Sequence, residues 1–163
     1  MEPKLTEHVR EVDGRPVSIL VDDVHLLAHF DDFFLPFDEV ISFVARALAG
    51  THGYVHTALR VEKTVGRSRC VTVNASSGAF WGLRKSRTYP SHLVHGKPEP
   101  TSSLCVWGEW TDASTFRLYT TYAGGTAPRE IHDPKIPMSE MDAAIAFWTT
   151  HALIADVEPA TNA

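Results

Sequence analysis

The sequence predicts an α+β fold, with a four-stranded antiparallel sheet and helices packed on one of its faces. Three observations support this prediction. An amphipathic helical segment precedes four segments rich in β-branched and aromatic residues, and a second helical segment follows them. Two of the links between strand segments have hairpin length. An antiparallel sheet with helices on one face is the simplest arrangement that buries both helical stripes.

The two helices are recognised by their ends and their apolar faces. Pro36 and Asp38 open the first and Gly50 ends it, with an apolar face of Phe37, Val40, Ile41, Val44 and Leu48. The second covers residues 140–154 after a capping pair, Ser139 and Asp142, and its stripe holds Met141, Ile145, Trp148 and Ala152. Residues 16–30 fit a strand followed by a helical turn.

Four strand segments lie between the helices, at residues 53–62, 69–75, 103–110 and 115–123. The links KTVGRS and TDAS predict one hairpin between the first two strands and another between the last two. The connection over residues 76–101 is longer than the ~12–15 residues beyond which a loop is usually functional or flexible. A single domain is expected over residues 15–155, with mobile polar tails at 1–14 and 156–163.

The composition points to a cytoplasmic protein without membrane segments. Hydrophobic residues make up 44% of the 163, yet no apolar run approaches the ~20 residues that cross a membrane. The N-terminus lacks the basic and apolar regions of a secretory signal. Cys70 and Cys105 are expected to be buried reduced thiols, since their spacing is not that of a zinc site. No cofactor and no oligomeric state are predicted.

The net charge of −5 is unevenly distributed along the chain. Residues 1–50 hold four Lys and Arg against ten Asp and Glu, residues 51–110 hold eight against three, and residues 111–163 hold three against seven. A basic centre within an acidic frame favours an anionic partner, provided that the central charges share one surface.

Alternation along the predicted strands divides the sheet into two faces. The side opposite the helices gathers His56, Arg60, Asn74, Trp107, Arg117, Tyr119 and Thr121. Cations beside aromatic groups suit an anionic ligand that stacks, such as RNA. The alternative is a solvated face on which Arg117 pairs with Glu109 across the hairpin.

The long connection adds further candidates for ligand binding. Its basic and histidine residues are Arg84, Lys85, Arg87, His92, His95 and Lys97, interleaved with Phe80, Trp81 and Tyr89. This combination suits phosphate contact together with base stacking. The alternative is a surface excursion whose apolar residues pack under the sheet edge.

The layout of residues 37–125 resembles the metal-independent ribonuclease and toxin fold shared by barnase, EndoU-type nucleases, the colicin ribonucleases and RelE-type toxins. FRLYTTYAGG, residues 116–125, is similar to the final strand common in such toxins. The resemblance implies RNA cleavage without a metal, which needs a base, a cation for the phosphoryl charge and a group that orients the phosphate. The positions that fit are His56 or His95 as the base, Arg60, Lys97 or Arg117 as the cation, and Tyr119 or Thr121 for orientation.

Two other functions stay open from the sequence. A non-catalytic module for a small ligand or anion would use Trp107 and Tyr119, with the long connection as a lid. A histidine-ligated metal protein is the third possibility, because the pairs His25/His29 and His52/His56 have the i, i+4 spacing of helix ligands. Gly53 and the β-rich neighbours argue against a helix at the second pair.

Overall fold

The computed structural model describes residues 4–74, 78–83 and 90–155. In chain order the elements are β1 (Leu5–Val12), β2 (Arg15–Asp22), α1 (Asp23–Phe30), α2 (Phe37–Ala47), β3 (Tyr54–Arg60), β4 (Gly66–Ser68), β5 (Cys70–Thr72), β6 (Phe80–Leu83), β7 (Pro90–Val94), β8 (Glu99–Thr101), β9 (Ser103–Asp112), β10 (Thr115–Ala123), α3 (Met141–Thr150) and β11 (His151–Ile154). A short 3₁₀ turn, Met138–Glu140, precedes α3.

The chain divides into two compact units, where the sequence predicts one domain over residues 15–155. Unit 1 is made of residues 1–68 and 100–126, and unit 2 of residues 69–99 and 127–163. Each unit has an apolar cluster of its own. No helix among the described residues has the length and apolar character needed to cross a membrane.

Unit 1 contains a five-stranded sheet in the order β1-β2-β10-β9-β3. All neighbours are antiparallel except β10 and β2, which run parallel. The fold therefore mixes α and β as predicted, but the four-stranded antiparallel sheet is wrong. Residues 69–75 do not pair with β3, because β3 pairs with β9 and β5 joins a different sheet. The predicted hairpin between β9 and β10 is confirmed.

The helix α2 packs on one face of this sheet as its apolar spacing predicts. Pro36 precedes its first residue, and Val40, Ile41, Val44 and Leu48 are at most 2% exposed. They meet inward side chains of the strands in one cluster that includes Val17, Ile19, Val55, Leu104, Val106 and Phe116. The ambiguous segment 16–30 resolves into β2 and α1, with the Asp22 carboxylate accepting hydrogen bonds from the backbone N–H groups of Val24 and His25.

Residues 5–12 form the edge strand β1, although their polar composition predicts a mobile tail. The strand pairs along its whole length with β2. Two of its inward side chains, His8 and Arg10, are long and polar rather than apolar, which hides the alternation. His8 packs edge-on against Phe37, and Arg10 donates to Ser42 Oγ and pairs with Asp38 on α2. Residues 1–3 and 156–163 lie outside the described part of the chain.

Unit 2 contains a four-stranded sheet in the order β5-β11-β7-β6. The predicted helix over 140–154 is wrong at its C-terminal end, because α3 stops at Thr150 and residues 151–154 form β11. The backbone of β11 is held between β5 and β7, which outweighs the helical pattern. The predicted long loop is also wrong, since residues 76–101 contain β6, β7 and β8.

Candidate functional site

The outer face of unit 1, the side of the five-stranded sheet opposite α2, carries a row of side chains that crosses every strand. The register places Tyr54 opposite Glu109, Glu109 opposite Arg117, Arg117 opposite Leu20, and Leu20 opposite Glu7. We call these five residues the central row. Four strand spacings of about 4.8 Å make the row about 19 Å long.

Tyr119 lies beside the central row and is joined to it by polar contacts. Its hydroxyl donates to Oε1 of Glu109, and the guanidinium carbon of Arg117 lies 5.8 Å from the centre of its ring. The hydrogen bond to Glu109 raises the pKa of the Tyr119 phenol, and partial burial adds to the increase. The predicted pairing of Arg117 with Glu109 across the hairpin is confirmed by the strand register, which places the two residues opposite each other.

The placement of Thr121 on the outer face is wrong. The β9–β10 register shifts between Leu118 and Thr120, so the alternation of faces along β10 changes parity after Leu118. Thr121 consequently points to the core side, where it is 1% exposed and donates to the carbonyl oxygen of Cys105 at 2.7 Å. The bulge leaves Tyr119 outward and moves Thr121 inward.

His56 and Trp107 do lie together on the outer face, with ring centroids 4.3 Å apart and planes 21° apart. Both are half-buried, and Nε2 of His56 is buried from solvent. Cys105 on the same face is fully buried. The accessible part of the face is therefore its other end, where Tyr54 is 57% exposed and Tyr119 39%. Arg60 is exposed at the end of β3.

The remaining predicted site residues belong to unit 2 rather than to the unit 1 sheet. Trp81 lies on β6 opposite His92 on β7. Asn74, His95 and Lys97 are exposed positions outside the strands, and the ring of His95 is 5.8 Å from that of Phe80. Arg84, Lys85, Arg87 and Tyr89 lie outside the described residues.

The structure also brings in side chains that the sequence did not indicate. Glu7 and Leu20 complete the central row because β2 pairs with β10, a parallel pairing that no local pattern predicts. In unit 2, the ring of His132 lies 4.9 Å from that of Trp81. His132 falls in an irregular proline-containing stretch without periodicity, so no sequence signal marked it.

The division into units changes the meaning of the charge pattern. By sequence, unit 1 holds 8 Lys and Arg against 13 Asp and Glu, which gives −5, while unit 2 holds 7 of each, which gives zero. The basic centre of the chain is therefore split between the units. Unit 1 carries the whole net negative charge, so its surface attracts cations rather than anions.

The metal and thiol chemistries have little support in the described part of the chain. The rings of His25 and His29 are 5.7 Å apart on α1, but among the described residues no group of three or more His, Cys, Asp or Glu side chains is arranged to hold a metal. Burial raises the pKa of Cys70 and of Cys105 to about 11, and the negative charge of Glu130 adds to the effect at Cys70. A pKa raised in this way disfavours the thiolate that nucleophilic catalysis needs at neutral pH.

A shallow cavity of about 490 Å³ lies between α2, the end of β1 and Leu59 of β3. Its two cations are engaged, since Arg10 pairs with Asp38 and Arg46 with Glu62. None of the predicted site residues lines the cavity. It therefore offers no additional support for an anion site.

Comparison of the chain with protein-family models, with curated proteins and with solved structures gave no match. The resemblance to metal-independent ribonucleases stays a prediction. The geometry and charge of the site carry the functional argument.

Proposed function

We propose that the protein is a non-catalytic binding module that engages a cationic segment of another protein through the accessible outer face of unit 1. The observation that carries this proposal is the central row with Tyr119 beside it. Two accessible tyrosines, Tyr54 and Tyr119, lie beside Glu109, and a second carboxylate, Glu7, lies at the other end of the row on the edge strand β1.

The side chains on this face are those that supply most energy at protein interfaces. Tyrosine and arginine are enriched among residues whose truncation weakens binding. Tyr54 and Tyr119 add accessible aromatic surface, and Val9 of β1 is 55% exposed on the same face. A row of about 19 Å matches an extended segment of about six residues.

Charge selects a cationic partner over an anionic one. Glu109 already accepts a hydrogen bond from the hydroxyl of Tyr119, and Arg117 is the cation opposite it in the sheet. A phosphate backbone laid along the row would meet both Glu7 and Glu109, whereas lysine or arginine side chains would be attracted by them. The net charge of −5 in unit 1 adds to this attraction at low ionic strength.

The test is an NMR titration of the isotope-labelled full chain with a deca-lysine peptide. We expect saturable shifts centred on Tyr54, Glu109 and Tyr119. Tyr54→Ala should weaken binding roughly fivefold or more, the equivalent of about 1 kcal/mol. Val24→Ala, at an exposed position on α1, is the control for lost apolar surface and should leave the affinity unchanged.

Two matched variants test whether a carboxylate in the central row attracts the peptide. Glu109→Gln should weaken binding of the peptide, whereas Glu62→Gln removes the same charge from an exposed position outside the central row and should have little effect. Equal losses for the two variants would mean that the peptide responds only to net charge. In that case the outer face is not the binding surface.

Metal-independent ribonuclease activity is the second candidate, favoured by one observation. Arg117 and Tyr119 lie side by side on the accessible end of the face, a cation and a hydroxyl of the kind that would contact a phosphate. Its test is incubation of tag-free protein with single-stranded RNA in EDTA. Cleavage that is lost in Arg117→Ala and in His56→Ala would replace the binding proposal with catalysis.

A further inference from the structure

Three aromatic side chains from separate parts of unit 2 meet at one exposed position. Trp81 and His92 are direct cross-strand partners on β6 and β7, and their ring centroids are 4.9 Å apart with planes at 32°. His132 reaches the same indole from the segment after β10, at 4.9 Å and 87°. We call these three residues the Trp81 cluster. Trp81 remains 42% exposed within it.

The orientation of His92 is fixed from behind. Its Nδ1 lies 3.1 Å from the carbonyl oxygen of Trp148, and because a carbonyl only accepts, Nδ1 must carry the hydrogen. The indole N–H of Trp148 donates in turn to the carbonyl oxygen of Arg129 at 3.1 Å. These bonds leave Nε2 of His92 for a ligand, as an acceptor in the neutral ring and as an N–H donor in the protonated ring.

His132 is exposed, and its carboxylate neighbours in sequence are engaged elsewhere. Glu130 accepts a hydrogen bond from Ser91 Oγ at 2.8 Å in a buried position. Asp133 pairs with Arg129 at 3.6 Å and accepts the backbone N–H of Lys135 at 2.9 Å. Within the described part of the chain, the contact that His132 makes is the ring contact with Trp81. Its nitrogens are therefore available for a ligand.

This arrangement combines two recognition chemistries at one place. An accessible indole offers a surface on which a planar ring can stack, as nucleic-acid bases stack on aromatic side chains. Imidazoles beside it offer N–H donors, and protonated imidazole makes charge-assisted hydrogen bonds to anionic oxygen. A ligand that uses both must carry an aromatic ring and an anionic group a few ångströms apart.

We infer that the Trp81 cluster is a binding site for a small aromatic anion, of the nucleoside monophosphate class. The aromatic ring stacks on the indole of Trp81, and the anionic oxygens accept hydrogen bonds from His132 and from the Nε2–H of protonated His92. The site belongs to unit 2 and does not depend on the partner surface proposed for unit 1.

The test is titration of the full chain with three probes: adenosine monophosphate, adenosine and inorganic phosphate. Binding is followed by calorimetry and by the indole and imidazole proton resonances. We expect adenosine monophosphate to shift the Trp81, His92 and His132 signals and to bind at least tenfold more tightly than either other probe. If adenosine bound as tightly as adenosine monophosphate, the anionic group would contribute nothing to binding. If inorganic phosphate bound as tightly, stacking would contribute nothing. Either result would overturn the inference.

Substitutions at exposed positions show where the ligand binds, because they are expected to leave the fold intact. Trp81→Ala and His132→Ala should each weaken binding of adenosine monophosphate at least fivefold. The matched controls are Leu83→Ala, 60% exposed on the same strand, and His52→Ala, exposed in unit 1, and both should bind like the unmodified protein. Undiminished binding by Trp81→Ala, or no saturable binding at millimolar ligand, would refute the inference.

Discussion

Replacing Thr121 with valine tests the bulge in β10 and the inward orientation that follows from it. The Thr121 hydroxyl is buried and donates to the carbonyl oxygen of Cys105 at 2.7 Å. Valine keeps the branched shape and removes the hydrogen bond. Because such a bond contributes about 1 kcal/mol net, we expect the free energy of unfolding to fall by about that amount. For a chain of 163 residues this corresponds to a Tm lowered by about 2–4 °C.

The assay is urea unfolding followed by circular dichroism, with Thr111→Val as the control. Thr111 is exposed near the end of β9, so the same substitution there should change the free energy by less than about 0.5 kcal/mol. Thr121→Val should also leave peptide binding and any RNA cleavage unchanged. Undiminished stability combined with lost binding or cleavage would mean that Thr121 points outward, and the bulge would be wrong.

Three further predictions concern unit 1. Gly108→Ala should destabilise by about 1–3 kcal/mol or more in a thermal melt, because an added Cβ would lie 2.2 Å from the carbonyl oxygen of Arg117 on the next strand. Glu109→Gln should lower the pKa of Tyr119 in a spectrophotometric titration, since the hydrogen bond to Glu109 is the main cause of its increase. Cys105 should react with iodoacetamide at pH 8 only as fast as the protein unfolds, because burial raises the pKa of its thiol to about 11.

Gly125→Ala is the control for Gly108→Ala, and pH dependence provides a second test of the Tyr119 pKa. Gly125→Ala meets no atom within 4 Å and should melt like the unmodified protein. The raised pKa of Tyr119 means that the neutral phenol is favoured in the folded state. Its stabilisation is therefore present below pH 10 and is lost as the pH rises through the raised value, a loss that Glu109→Gln should reduce. Fast labelling of Cys105 in the folded protein would contradict its burial.

The sequence predicts those elements whose pattern matches their surroundings. The helix α2 has a proline before its first turn and one apolar stripe, and both features reappear in the structure. The β9–β10 hairpin is similarly local, with a short polar turn between two alternating segments. In both cases nearby residues supply the whole signal.

The failures come from information that is not local. In β11, the apolar residues of HALI continue the helical stripe, and only pairing with β5 and β7 makes them a strand. In β1, His8 and Arg10 replace apolar residues on the inward side and pack against α2 through their long side chains. In β10, one extra residue at the bulge reverses the assignment of Thr121, since side chains alternate with a period of two.

The strand order β1-β2-β10-β9-β3 also has a consequence for synthesis on the ribosome. The flanking strands β1, β2 and β3 are made first, whereas β9 and β10, which lie between them, are made last. About 50 residues separate the end of β3 from the end of β9, which corresponds to roughly 3–10 s of translation. During that interval the nascent chain contains β1, β2 and β3 but lacks β9 and β10, which pair with β3 and β2. Unpaired strand edges are prone to aggregate. Slow codons between residues 61 and 112 would therefore lower the yield of folded protein without changing a single amino acid.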